Sequence, residues 1–274
     1  MLSITSDYAT GLGCPEPYLR RIAEAGFSHV HWCHQWSTDF LYADCEIEQI
    51  AAWLRDLGLQ VLDLHGSAGQ EKAWGSTREY ERLAGVELVA NRVEMVARLG
   101  GDVVIMHLPA EPDAEAEAER DVYWAQIRKS LDALEPGARQ LGVRIALENL
   151  THDNFDTIER LFGLYSPDYV GLCYDSGHGN ISGNGLDRLD LVKDRLISVH
   201  LHDNAGADDE HGLLFSGTID WPRLARIIAQ SAYHKPVSME SALRSCPGMA
   251  EAEFLAKAFD AGKAFHRMVC EAVL

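Results

Sequence analysis

The sequence predicts an α/β fold, a single (β/α)8 barrel, and three observations predict it. A short β-branched apolar run, a polar loop and a longer stretch of helical periodicity recur as a unit eight times along the chain. Glycine stands where a helix must stop before the next strand, at Ala25-Gly26, Leu57-Gly58, Leu99-Gly100-Gly101 and Leu141-Gly142. The length of 274 residues is close to the ~250 that one such barrel uses, so a single domain is expected over 1–274.

The strand-like runs lie at 2–5, 27–32, 59–65, 102–107, 143–148, 169–175, 196–202 and 236–240. Helical periodicity occupies 15–25, 46–57, 77–98, 121–141, 155–163, 187–194, 221–231 and 250–271. A helix between parallel strands forces a right-handed crossover, so eight units either close into a barrel or open into a doubly wound sheet. The open sheet usually carries Gly-x-Gly-x-x-Gly after its first strand. Here Gly11-Leu12-Gly13 runs into Cys14-Pro15-Glu16 with no third glycine, which favours the barrel. The acid-rich stretch 110–119 reads as a solvated loop leading into a helix start, where negative charge suits the helix dipole. The glycines of 177–185 lack the Lys-Ser/Thr ending of a phosphate loop and read as a flexible loop over a site.

Composition excludes several classes. With 47% hydrophobic and 24% charged residues the chain can bury a sizeable core and is too apolar for disorder. Its apolar runs are far shorter than the ~20 residues of a membrane span, and no basic-then-apolar leader opens it, so a cytoplasmic protein is expected. The net charge of −18 repels phosphate backbones and disfavours nucleic acid. Six scattered cysteines without a Cys-x-x-Cys pair read as reduced thiols.

The chemistry lies at strand ends, because the C-terminal ends of barrel strands converge on one mouth. Strand three ends in Asp63-Leu64-His65, four in His107, five in Glu148-Asn149, six in Asp175, seven in His200-Leu201-His202-Asp203 and eight in Glu240. A lone His at a strand end is ordinarily a hydrogen-bonded rim residue, and a lone acid a helix cap. Six such groups at one mouth leave uncompensated charge unless a cation neutralises them, which points to a divalent metal. Mixed N/O ligation suits Zn, Mn, Co or Fe. Asp175-Ser176-Gly177-His178 brings a further imidazole to the mouth if Gly177 lets the chain curl back. Asp209 and His211 share one side of an extended segment, although an acidic surface loop is the plainer reading of 207–210. Asn149 and Asp203 are candidates for orienting these ligands, and strand period alone does not choose between His200 and His202.

At these residues the chain resembles the xylose isomerase-like TIM-barrel superfamily, which holds sugar isomerases and epimerases alongside endonuclease IV. The carriers are Leu147-Glu148-Asn149, Tyr174-Asp175-Ser176-Gly177-His178, Val199-His200-Leu201-His202-Asp203-Asn204, Asp209-Glu210-His211, Gly217-Thr218-Ile219-Asp220-Trp221 and Met239-Glu240. The resemblance implies one metal on Glu148, Asp175, His200 and Glu240, with His178 touching substrate. In the endonuclease-like members it implies a wider cluster that adds His65, His107, His178, Asp209 and His211.

The leading expectation is a metal-dependent sugar or sugar phosphate isomerase or epimerase, with Glu148 and Glu240 as the proton-transferring pair across a metal-stabilised enediolate. Its partner is a small carbohydrate, contacted by His178 and His202, with Trp32 or Trp36 as an apolar wall and Arg244 as a possible phosphate or carboxylate contact. A homo-oligomer is expected by analogy. The alternative is multi-metal cleavage of DNA at abasic sites, for which the loops 33–44 and 66–77 hold Lys72 as their single Lys or Arg. A non-catalytic binding barrel is a third class, and the intact Glu148/Glu240 pair argues against it.

Overall fold

All eight expected strands form in the computed structural model, which describes every residue except Ser67, Ala114, Val273 and Leu274. They are β1 (Leu2–Thr5), β2 (His29–Trp32), β3 (Gln60–His65), β4 (Val103–Met106), β5 (Arg144–Glu148), β6 (Val170–Asp175), β7 (Leu196–His200) and β8 (Val237–Met239). Every pair is parallel, in the order β7-β6-β5-β4-β3-β2-β1-β8. The two ends of this row meet just beyond β7, where Leu201 N–H donates to the Ser238 carbonyl at 3.0 Å and Glu240 N–H to the Leu201 carbonyl at 2.9 Å. The sheet therefore closes as a barrel, and the open doubly wound alternative falls.

Helices cover the outside: α1 (Glu16–Glu24), α2 (Asp44–Leu57), α3 (Glu79–Arg98), α4 (Glu117–Leu141), α5 (Phe155–Phe162), α6 (Ser176–Ser182), α7 (Gly185–Val192), α8 (Trp221–Ala229) and α9 (Glu251–Glu271). Gly58 and Gly142 end α2 and α4 with φ of +68°, the left-handed cap that an L side chain resists. Among the described residues no helix is long and apolar enough to cross a membrane, and all six cysteines are free.

Two expectations need correction. Residues 177–185 are not a flexible loop but α6 and the start of α7. Their glycines serve close packing: a Cβ on Gly177 would meet the His202 ring at 2.0 Å, and one on Gly179 the Tyr174 hydroxyl at 2.3 Å. Helix α4 also starts at Glu117, earlier than its periodicity suggests, because the acids of the approach become its first turn. Within that approach Ala114 lies outside the described residues.

Strand period then places the chemistry. Val103, Ile105, Ala146, Cys173 and Ile197 form a small buried cluster apart from the main core between strands and helices. One period further along β4, β5 and β6, on the same face, stand His107, Glu148 and Asp175. The apolar plug thus forms the floor of the mouth, and the next inward layer is almost wholly ionisable.

Candidate metal centre at the barrel mouth

Glu148 ends β5 at the middle of this layer, 1% exposed. Its Oε2 accepts from His107 Nε2 at 3.1 Å and lies 3.7 Å from His65 Nε2. Its Oε1 lies 3.3 Å from His200 Nδ1, and the same nitrogen is 3.3 Å from Glu240 Oε2. Ligand atoms of Glu148, Asp175, His200 and Glu240 lie within 4.8 Å of one another, as do those of His65, His107 and Glu148. A third group follows at the rim, where Asp209 Oδ2 lies 3.1 Å from His211 Nε2 and 3.4 Å from His178 Nε2. All nine ligand-type residues expected from the sequence therefore meet in three adjoining clusters, with Glu148 shared by two of them.

Several imidazoles are aimed by their other nitrogen. His65 Nδ1–H donates to the Gly66 carbonyl at 2.9 Å, His178 Nδ1–H to the Asn149 carbonyl at 2.9 Å and His211 Nδ1–H to the Glu240 carbonyl at 2.8 Å. A carbonyl can only accept, so each bond puts the proton on Nδ1 and turns Nε2 toward the centre, as metal-ligating histidines require. His178 reaches the mouth because Asp175 caps α6, accepting from the His178 backbone N–H at 2.7 Å. Gly177 is helical there, so no curled-back glycine is involved. Nor does an extended segment carry Asp209 and His211, since His211 takes φ +51°.

The electrostatics of the site suits a bound cation. Burial lowers the His178 pKa, but Asp175, Asp209 and Glu148 outweigh it and carry the group up to about 11. In the same way burial is overridden at His211 by Asp209 and Glu240, which bring it to about 9. His65 is pushed well down, first by burial and then by the charge of His107, and so presents a neutral imidazole. Among the described residues both ring nitrogens of buried His200 lack a hydrogen bond, as does Nδ1 of His202. A buried polar atom without a partner is costly, and an ion at Nδ1 of His200 beside two carboxylates removes that cost. The donor set and its orphaned nitrogen fit a divalent metal.

The other expected residues divide. Asn149 exchanges two hydrogen bonds with the Asp175 backbone at 2.8 and 2.9 Å and so holds that ligand. Among the described residues the Asp203 carboxylate bonds none of the ligand side chains: it accepts from Trp221 Nε1 at 2.8 Å and ties down the loop before α8. His202 Nε2 bonds Asp175 Oδ2 at 3.1 Å from a fully buried position beneath His211, whose ring stacks on it at 4.1 Å. Trp32 does not reach the mouth. It is 1% exposed, with Nε1 bonded to the Tyr42 hydroxyl. Trp36, on the loop after β2, takes that place with its ring 4.6 Å from His65 and 5.5 Å from His107. Arg244 is exposed on the loop after β8.

Sequence reasoning missed His31 of β2 and Cys33 just beyond it. His31 Nδ1 lies 2.7 Å from Asp63 Oδ1, its Nε2 2.8 Å from Cys33 Sγ, and its ring 4.4 Å from His200. Applying the strand-end rule to strand two as well as to strands three to eight would have found them.

Comparison with known proteins agrees with this architecture. The profile of the xylose isomerase-like TIM barrel family matches residues 19–260. The uncharacterized protein y4fM of Sinorhizobium fredii is 34% identical over 244 residues, covering 80% of this chain and 78% of that protein. Probable endonuclease 4 of Mycobacterium ulcerans is 29% identical over 175 residues, 59% of this chain and 66% of that one, so the match spans under two thirds of that relative. Among solved structures, a D-tagatose 3-epimerase-like protein superposes with TM-score 0.78 at 20% identity, covering 100% and 99% of the two chains. A D-psicose 3-epimerase does so with TM-score 0.78 at 18% identity, covering 97% and 98%. At such identities these two likenesses speak for the fold.

Proposed function

The chain belongs to the xylose isomerase-like TIM barrel family, and we propose that it is a divalent-metal-dependent isomerase or epimerase of a small sugar or sugar phosphate, one domain over 1–274, working in the cytoplasm. The observation that carries this reading is the convergence of Glu148 and Glu240 on one imidazole nitrogen, each at 3.3 Å, from strands β5 and β8. Glu148, Asp175, His200 and Glu240 would hold the metal, which when bound would polarise a substrate carbonyl as a Lewis acid. Glu148 and Glu240, reaching the centre from the ends of β5 and β8, would both be within reach of a substrate held there. One carboxylate takes the proton next to the carbonyl and the other returns a proton, inverting the centre or shifting the carbonyl to its neighbour. Burial at 1% exposure keeps water from competing for the base at Glu148. His178 would contact a substrate hydroxyl, His202 would act from beneath it by holding Asp175 rather than by touching substrate, Trp36 would wall the mouth on the His65 side, and the exposed Arg244 after β8 would meet a phosphate or carboxylate.

The test is a ketose panel in deuterated water, free and phosphorylated, followed by NMR on metal-loaded protein, with Glu148→Gln and Glu240→Gln alongside. Deuterium should enter the carbon next to the carbonyl, and both variants should lose this exchange while unfolding like the wild type. Undiminished exchange in either variant would reject the assignment.

One observation favours a second reading, multi-metal phosphodiester cleavage: the clusters around His65/His107 and around His178/Asp209/His211 flank the central four, and the chain is 29% identical to the endonuclease 4 relative. Against it, Lys72 and Arg78 are the two Lys or Arg residues of the loops after β2 and β3, the first with Nζ bonded to the Asp39 carbonyl at 3.4 Å and the second paired with Glu81 at 2.7 Å. Phosphate backbones are held mainly by Lys and Arg. Cleavage of abasic-site DNA without deuterium exchange into any ketose would replace the first reading by this one.

A further inference from the structure

His31 of β2 and Cys33 just beyond it stand beside Glu240, with the His31 ring 4.4 Å from that of His200. Three atoms face one another there: His31 Nε2, Cys33 Sγ and Glu240 Oε1. Their separations are 2.8 Å between Nε2 and Sγ, 3.7 Å between Sγ and Oε1, and 3.9 Å between Nε2 and Oε1. A circle through three points at these separations has a radius of about 2.0 Å, so one position lies close to metal-ligand distance from all three. We propose that His31, Cys33 and Glu240 form a further, thiolate-containing cation site, suited to zinc or cobalt and joined to the central cluster by Glu240 as a bridging carboxylate.

Three features beyond that triangle support it. His31 is oriented as a ligand, because its Nδ1 bonds Asp63 Oδ1 at 2.7 Å and Asp63 Oδ2 in turn accepts from Ser198 Oγ at 2.5 Å. A carboxylate behind an imidazole fixes its tautomer and raises its basicity toward a metal on the other nitrogen. All of these groups are buried: His31, Asp63 and Ser198 at 0% and Cys33 at 1% exposure. Finally, Glu240 directs its two oxygens to different partners, Oε2 to His200 at 3.3 Å and Oε1 to this pair, as a carboxylate shared by two neighbouring ions would. Glu148 does likewise, with Oε1 toward His200 and Oε2 toward His107. The way in is the mouth itself, where the Glu240 side chain is 13% exposed. The thiol softens this position relative to the N/O clusters, and soft ligands select zinc or cobalt over manganese or magnesium. This site does not depend on the substrate, so it stands or falls apart from the proposed reaction.

A second buried thiol makes the test discriminating, since Cys173 lies with Glu148 and His200 in another possible group. The protein is stripped with chelator and titrated with cobalt(II), and the near-ultraviolet thiolate-to-cobalt charge-transfer band is recorded for wild type, Cys33→Ser and Cys173→Ser. The band should appear in the wild type, persist in Cys173→Ser and vanish in Cys33→Ser, with one fewer cobalt per chain by elemental analysis. Absence of the band at saturating cobalt overturns the proposal, as does its loss in Cys173→Ser with retention in Cys33→Ser. Should Cys33→Ser fail to fold, X-ray absorption of the zinc-loaded wild type and Cys173→Ser decides. A sulfur neighbour at about 2.3 Å in both supports the site, and a shell of nitrogen and oxygen alone in either refutes it.

Discussion

Replacing Gly177 by Ala tests the packing that delivers His178 and Asp175 to the mouth. The new Cβ would stand 2.0 Å from His202 Cε1, 2.6 Å from Nδ1 and 2.7 Å from Nε2. Ordinary contact begins near 3.4 Å, so the overlap is about 1.4 Å and neither partner yields easily. His202 is fully buried and bonded to Asp175 Oδ2 at 3.1 Å, while α6 is anchored by the Asp175 cap. Overpacking costs about 1–3 kcal/mol, and losing a buried hydrogen bond to a carboxylate costs about 1.5–3 kcal/mol more. Gly177→Ala should therefore lose roughly 3–5 kcal/mol, measured by urea unfolding with chelator present, and melt about 10 °C lower. Removing the imidazole in His202→Ala opens the space the methyl needs, so the double variant should be more stable than the sum of the two losses by at least about 1 kcal/mol. A Gly177→Ala protein within about 1 kcal/mol of wild type, or strictly additive losses, would refute the steric account.

Three further outcomes are expected. At pH 7 protons sit on His178 and His211, whose pKa values are raised to about 11 and about 9; an ion at their Nε2 atoms should release protons and bind more tightly as pH rises, and calorimetry in two buffers of different ionisation enthalpy that finds no proton release would contradict this. Glu111 accepts from Arg120, Trp124 Nε1 and Thr157; burial raises its pKa, yet these bonds and the Arg120 charge hold it below the ordinary carboxylate value, so its contribution is present above the unfolded pKa and is lost as pH falls through the folded one. Glu111→Gln should thus cost about 1–2 kcal/mol at pH 7 in urea unfolding, with the gap to wild type closing in acid. Trp36→Ala, by stripping the ring beside His65 and His107, should raise KM for the sugar about tenfold with a smaller change in kcat, and equal kinetics would remove the ring from the substrate wall.

The barrel was legible because its signals are local. Period-two runs, helix-stopping glycines and strand-end acids need only neighbouring residues to be read, and each of the eight strand runs forms a strand within a few positions of its expected span. The same rule brings His65, His107, Glu148, Asp175, His200 and Glu240 to one mouth from the sequence alone. What sequence could not supply was distance across the barrel. Trp32 and Trp36 are four positions apart in the same segment, yet one is fully in the core and the other beside His65, because the loop after β2 turns with Gln35 at φ +63°. Residues 177–185 looked mobile because glycine is ambiguous between freedom and tight fit, and only the His202 ring from another strand decides for fit. His31 and Cys33, at the end of β2, meet Glu240 just past β8, while Asp63 of β3 backs His31. Composition and periodicity determined which face each side chain takes; closure of β7 onto β8 decided which of those faces share a bond, since contact between residues far apart in sequence is set by packing and not by propensity.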